Sequence, residues 1–504
     1  MSNFIKISLF VLLLMLSHQL QAADSAMEIG TNFWARVDWT GERPFKSDVD
    51  FRKAWNSGMT EDSLVAENVW NETFLQEIDF YTVLRFMDWV PTNKSSVVNW
   101  SQRTLPTSQD QTARFKDEPG VAIEWMIDLC NRVGADMWFC MPHAANDDYH
   151  KQLATLVHNH LKPSLKIYVE YSNEVWNFSV QKNYASEQGQ KLGISTQEYV
   201  GHRSAQMWQT FKDVFGDQFE ERVVKVISGQ STNSWIAREQ LKYLYSDENP
   251  TGLLPDAYGI APYFGGNGFD ADVDNPFEVL ETDIFEHRWN KPNRSGRIDN
   301  VSTHYNLLQG YDENLKLICY EGGQHITNNA TLVNYDPRMY DLYLRYLEAL
   351  DDYVAEFAHY THCGTCGDGG CWGAKKYTGQ PADEAPKYRA LLDYANGIRT
   401  DVSGSDVRKG TTPSNYKLQN YPNPFNGSTT IKLTLNQPAF VDLDIYNLAG
   451  RKVRQLMQKN MDAGSHLVHW DAVDDQNEPV SSGVYMVRLD NIDDTVIRKL
   501  LLIK

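Results

Sequence analysis

Positive charge is scarce in this chain. Lysine and arginine number 47 against 66 aspartates and glutamates, a formal net charge of −19. Nucleic-acid phosphates demand a basic surface, so this balance disfavours a nucleic-acid partner and a polybasic lipid anchor. Cysteine is scarce too: six in 504 residues are too few for a disulfide scaffold. After residue 16, no apolar run approaches the roughly 20 residues that cross a bilayer. What is present is ordinary globular usage, 42% hydrophobic and 22% charged, which excludes a mainly disordered or collagen-like chain. Aromatics are plentiful at 12%, with 14 tryptophans and 26 tyrosines. Flat rings suit flat, apolar ligand faces, and the negative balance favours a neutral partner such as a polysaccharide or oligosaccharide.

The first 22 residues have the layout of an export signal. Lys6 supplies the positive start, residues 7–16 an apolar run, and Ala22 a small residue at the cleavage edge. The run is too short to span a membrane. Removal after Ala22 is expected.

Residues 23–400 alternate β-rich apolar runs with helical patterns. Eight strands are predicted, at 28–34, 81–86, 136–141, 166–171, 223–229, 256–263, 315–320 and 353–360. Amphipathic stretches such as 121–133 and 196–215 lie between them. Strand–helix alternation of this kind predicts a (β/α)8 TIM barrel, an α/β fold. An open doubly wound sheet needs a glycine turn after its first strand, and residues 31–38 contain no glycine. Residues 401–416 are polar, rich in Gly, Ser and Thr and without period, and read as a linker. From 417 to 504, short alternating runs divided by Gly, Asn, Asp and Pro turns predict a small all-β, Ig-like sandwich.

The C-terminal segment also carries a recognisable text. Asn420-Tyr421-Pro422-Asn423-Pro424-Phe425-Asn426 is followed by Ser428-Thr429-Thr430-Ile431. Then come Ile445-Tyr446-Asn447-Leu448-Ala449-Gly450-Arg451-Lys452-Val453, Ser482-Gly483-Val484-Tyr485 and the basic terminus Lys504. Together they resemble the type IX secretion sorting domain of the Bacteroidetes group, with Gly427 where proline is usual. The resemblance implies recognition by the type IX secretion machinery, outer-membrane export, and release or surface attachment.

Active sites of barrels lie where the strands end. The fourth predicted strand runs into Asn173-Glu174 and the seventh into Glu321. Strands four and seven face each other across the mouth of an eight-stranded barrel. Two opposed carboxylates are what glycoside hydrolysis requires: one protonated for the leaving oxygen, one ionised for the sugar carbon. Asn173-Glu174 and Glu321 in these places resemble clan A glycoside hydrolases, which are retaining barrels. The resemblance implies Glu174 as acid/base and Glu321 as nucleophile. It further implies that Asn173 binds the sugar 2-hydroxyl, and that Arg85 hydrogen-bonds the nucleophile and holds its pKa low by charge. His143 would line the sugar site, Tyr263 would orient Glu321, and Trp372 would be a stacking floor. Val175 stands where many relatives have proline, and Ala261-Pro262-Tyr263 lacks a histidine often found there. Endo action on a β-linked polysaccharide is the expectation. The rivals are a catalytically inactive barrel that binds glycan at the cell surface, and another hydrolase on the same barrel, such as an inverting enzyme.

Other readings stay open beside these. Arg85 could instead pair structurally with Asp88. Trp34, Trp89, Trp176 and Trp235 flank strands and serve as core or as sugar platforms. Cys363, Cys366 and Cys371 cluster before Trp372. They suit a zinc site only with His362 or Asp368 as fourth ligand, and an oxidising compartment favours a disulfide instead. Cys130, Cys140 and Cys319 read as buried thiols. No cofactor motif is present, and no metal site is predicted.

Overall fold

Eight short segments buried on both faces are the sequence pattern of parallel strands covered by helices. The computed structural model describes residues 26–33, 41–47, 49–60, 63–65, 68–112, 120–177, 179–266, 268–367, 370–399, 416–421, 425–435, 439–447, 451–462, 464–490 and 495–502. The expected leader, Trp34, Asp368 and all of the expected linker except Tyr416 lie outside them. Among the described residues, no helix is long and apolar enough to cross a membrane. The chain divides into two units, 1–400 and 401–504.

In the first unit the strands are β1 (Glu28–Asn32), β2 (Val83–Arg85), β3 (Asp136–Met141), β4 (Ile167–Tyr171), β5 (Val223–Ser228), β6 (Ala257–Ile260), β7 (Lys316–Cys319) and β8 (Glu356–His359). Each pairs in parallel with its sequence neighbours, and β1 pairs with both β2 and β8, closing a barrel. All eight predicted strands are present. Several stop short of their predicted ends, because the chain turns at the mouth. Past β6, for example, Tyr263 N–H bonds back to the Ala261 carbonyl at 3.0 Å. Where β1 crosses β2, a Cβ on Gly30 would lie 2.7 Å from the Val83 carbonyl oxygen, so only glycine allows that approach.

The longer helices among the described residues are α1 (Glu72–Ile78), α2 (Ile123–Val133), α3 (Asp147–His160), α4 (Val180–Leu192), α5 (Thr196–Phe215), α6 (Ser234–Leu244), α7 (Pro276–Phe285), α8 (Arg297–Gln309), α9 (Arg338–Asp351) and α10 (Pro386–Ala395). Their starts follow local chemistry. Ser195 and Glu198 cap α5 reciprocally, side chain to backbone, at 3.3 and 2.6 Å.

Strand parity sorts the core. Met137, Phe139 and Met141 on β3 face the helices, whereas Trp138 and Cys140 face the barrel interior. On β4, Ile167 and Val169 face out and Tyr168 faces in. The same period directs Arg85 inward with Val83, and Glu170 inward with Tyr168. Both are buried, Arg85 at 0% and Glu170 at 2% exposure. The upper interior of the barrel is therefore charged, and that charge is the foundation of the site.

Among the described residues the second unit has seven strands: β9 (Tyr416–Tyr421), β10 (Thr429–Leu435), β11 (Ala439–Asn447), β12 (Lys452–Met461), β13 (Gly464–Trp470), β14 (Gly483–Asp490) and β15 (Thr495–Leu502). They form two antiparallel sheets, β9-β10-β13 and β12-β11-β14-β15. Alternate residues Ile431, Leu433, Leu435 and Val441, Leu443, Ile445 from the two sheets share one core with Trp470 and Leu489. Strand β9 is an addition to the predicted set. Tyr416, read above as the end of the linker, already pairs with Leu435.

Candidate active site

Arg85 is the centre of the barrel mouth. Its guanidinium lies between the rings of Trp138 and Tyr320, 5.3 and 5.0 Å from their centroids. Nη1 donates to Glu321 Oε1 and to Asn32 Oδ1, both at 3.0 Å. Nη2 donates to Glu170 Oε2 at 3.0 Å and to Asn173 Oδ1 at 2.9 Å, and Nε reaches Glu170 Oε2 at 3.3 Å. One buried cation thus ties the ends of β1, β2, β4 and β7 together. The alternative pairing with Asp88 does not form. Asp88 instead accepts the Tyr360 hydroxyl at 3.2 Å, and burial pushes its carboxyl up to about 6.

Glu321 follows β7 and is buried, with its second oxygen accepting the Tyr263 hydroxyl at 3.0 Å. Glu174 follows β4 through a turn in which Ser172 (φ 61°) and Glu174 (φ 46°) both adopt left-handed backbone. That conformation costs a side-chain-bearing residue about 1–3 kcal/mol and persists only where the surroundings fix it. Here Tyr320, just past β7, donates to Glu174 Oε1 and Asn177 donates to Oε2, each at 3.2 Å. Asn173 between them is buried, its amide also donating to Asn93 Oδ1 at 3.2 Å.

Both acids are raised in pKa. Burial lifts Glu174, against its bonds from Asn177 and Tyr320 and the charge of Arg85. Burial also pushes Glu321 up to about 8, with the like charge of Glu174 adding to it and Arg85 pulling the other way. The expectation that Arg85 would hold Glu321 low is therefore corrected. Arg85 divides its charge between Glu321 and Glu170. Glu170 additionally takes Ser228 Oγ at 2.6 Å, Trp138 Nε1 at 3.0 Å and the Cys140 thiol at 3.2 Å.

The structure thus brings together Glu174, Glu321, Arg85, Asn173 and Tyr263. Trp372 is connected at one remove: its ring meets His325 edge-on at 5.5 Å, and His325 meets Tyr263 at 5.4 Å. His143 stands apart from this network. It is buried edge-on against Tyr184 of α4 at 5.1 Å, and burial lowers its pKa. Sequence reasoning missed Glu170, Asn32, Tyr320 and Tyr360. Parity along β4 and β7 was the available signal for Glu170 and Tyr320.

The other aromatics divide. Trp89 is buried among Phe33, Trp70 and Phe86 and belongs to the core. Trp176, after β4, and Trp235, in the first turn of α6 and 53% exposed, line an open cleft of about 440 Å³ together with Asn177. Cys366 and Cys371 form a disulfide, so their sulfurs cannot join a zinc set. Cys363 is a buried thiol whose donor atom lies near those of Glu77 and His362. Lys375 already supplies positive charge there, 2.5 Å from Glu77. Cys130, Cys140 and Cys319 are buried thiols as well.

Several solved structures are similar to this chain in architecture. A family 51 α-L-arabinofuranosidase of Bifidobacterium longum is 10% identical over 89% of this chain and 97% of its own, with a TM-score of 0.48. An endo-β-1,4-mannanase of Cellulomonas fimi from glycoside hydrolase family 26 is 9% identical over 95% and 94%, at 0.37. An FMN-binding β-glucuronidase of Facaelibacterium prausnitzii is 10% identical over 95% of this chain, at 0.37, and this chain spans only 57% of it. None of these similarities bears on substrate or linkage. No curated protein matches the chain in sequence. Residues 419–504 match the family model described as Secretion system C-terminal sorting domain. The chain is a (β/α)8 barrel followed by a sorting domain that marks it for type IX export, to the cell surface or beyond.

Proposed function

We propose that this protein is a retaining glycoside hydrolase acting on a β-linked polysaccharide. One observation carries the reading. Two carboxylates stand at the ends of β4 and β7, each hydrogen-bonded differently around one buried arginine. Glu321 receives a cationic donor and a phenol, both of which favour its ionised form. Glu174 receives only neutral donors. Close like charges resist ionising together, so in this reading the pair shares one proton; the neutral donors on Glu174 support its role as the acid, although burial raises Glu321 as well.

The chemistry follows from that placement. A Glu321 oxygen attacks the sugar's anomeric carbon while Glu174 gives its proton to the departing glycosidic oxygen. The carbon–oxygen bond breaks, the new chain end leaves as an alcohol, and a glycosyl ester remains on Glu321. Glu174, now ionised, takes a proton from water, whose oxygen attacks the same carbon and frees Glu321. Arg85 and Tyr263 hold Glu321 in line. Asn173, with its oxygen fixed by Arg85, has an amide N–H for the sugar 2-hydroxyl. The tryptophan cleft beginning at Asn177 gives room for further sugar units, which supports endo action.

Replacement of the nucleophile tests this. Glu321→Gln should lose orders of magnitude in turnover with an unchanged melting transition. Retention of more than about a tenth of wild-type kcat on polysaccharide would reject the assignment. A wild type that binds glycan without turnover would favour the surface glycan-binding role.

A further inference from the structure

An acidic chain gathers cations at one point beside its catalytic loops. Two short strands, His287–Arg288 and Lys291–Ser295, form a hairpin between α7 and α8. With Gly265 and Thr232 the hairpin walls an open cavity of about 650 Å³ lined by Arg288, Lys291, Arg294 and Arg297. Arg297 is committed to Asp283, with bonds of 2.8 and 3.2 Å. Asp283 is fully buried and also accepts the Gly265 and Trp289 backbone N–H groups at 2.8 and 3.2 Å. That acid has no capacity left. Arg288, Lys291 and Arg294 form no ion pair among the described residues. Arg288 is half-buried. Burial, then the neighbouring charges of Arg297 and Arg294, bring its pKa down to about 10. A cation so crowded gains strongly from an arriving anion, and a guanidinium fork matches a carboxylate or sulfate.

The backbone joins this cavity to the carboxylates. Gly265 lies on the segment that carries Tyr263, and Phe264–Gly265 pairs in parallel with Gln324–His325, on the segment that carries Glu321. Gly266 N–H donates to the His325 carbonyl at 2.7 Å. Thr232 comes from the same loop after β5 that supplies Gln230 and Asn233 to the tryptophan cleft.

We propose that this cavity is an anion-recognising subsite, so that the polysaccharide cleaved between Glu174 and Glu321 carries a uronate carboxylate or a sulfate ester, held by Arg288 with Lys291 and Arg294. The proposal rests on the glycosidase reading, and the test separates the two. Binding is measured with the full-length, turnover-disabled Glu321→Gln protein. The probes are poly-β-mannuronate against its carboxyl-reduced form, a β-mannan, and cellulose sulfate against soluble cello-oligosaccharide. At least one anionic probe should bind about tenfold or more tighter than its neutral counterpart, the size of one charge-assisted bond, and added salt should shrink the preference. Preference for the uronate pair identifies a carboxylate, and preference for the cellulose pair a sulfate. Arg288→Gln and the exposed Arg294→Gln should each reduce the preference and leave neutral binding unchanged. In the otherwise wild-type protein, both should still hydrolyse aryl β-glycosides. Equal binding of anionic and neutral probes, or a preference that survives both substitutions, overturns the subsite. Failure of the wild type to cleave any glycoside, with the charge preference intact, sinks the catalytic reading and leaves the subsite standing.

Discussion

At the scale of residues, the site turns on how one arginine is shared. Arg85 serves Glu170 through two nitrogens and Glu321 through one. Burial therefore wins at Glu321, which rises to about 8, and Glu174 rises too. The sign follows. In the proposed mechanism the active pair carries one proton. Below its lower apparent pKa both acids are protonated and no nucleophile remains. Above its upper one, both are ionised and no acid remains. The profile of kcat/KM should be bell-shaped, with its alkaline limb above the usual carboxylate range because burial raises both acids. Glu174→Ala removes both the acid and the like charge beside Glu321, so the alkaline limb should vanish and the acidic limb move lower. An alkaline limb that persists unshifted in that variant would reject the pairing.

At the scale of elements, strand ends and strand parity account for what the sequence revealed. Glu174, Glu321, Arg85 and Tyr263 were legible because each follows or closes a strong apolar run. Glu170 was not legible as a site residue, although it shares parity with Tyr168, because it lies within β4 and not past its end. The helix-rich interval between β6 and β7 hid the basic hairpin, since Lys291–Ser295 is exposed throughout and has no alternation to announce a strand. Tyr416 was assigned to the linker because a single strand residue cannot show a period. The loop after β8 could be placed only by tertiary contacts. Ala374 N–H bonds Thr361 O at 2.7 Å, Lys387 of α10 bonds Cys371 O at 2.5 Å, and the Cys366–Cys371 disulfide closes the tip. These ties set Trp372 against His325. If Trp372 floors a sugar unit, Trp372→Ala should raise KM for oligosaccharides about 2- to 12-fold, from about 0.5–1.5 kcal/mol of ring contact, with kcat little changed. A fall in kcat at constant KM would place Trp372 outside sugar binding.

At the scale of the whole molecule, chemistry and export are assigned to separate units. The barrel holds the paired carboxylates, and residues 419–504 match the sorting domain. Removing residues 416–504 should leave the barrel's melting transition and turnover in purified protein while stopping export in the native host. Loss of the melting transition would make the β unit a structural support, and undiminished export would remove its sorting role. Two acids at the barrel mouth are proposed to carry two different roles, and azide distinguishes them directly. Glu174→Ala should retain slow formation of the glycosyl-enzyme from aryl β-glycosides with good leaving groups. Azide needs no base, so it should restore turnover and yield a β-glycosyl azide, identified by proton NMR. An α-glycosyl azide, or rescue of Glu321→Ala and never of Glu174→Ala, would contradict the account.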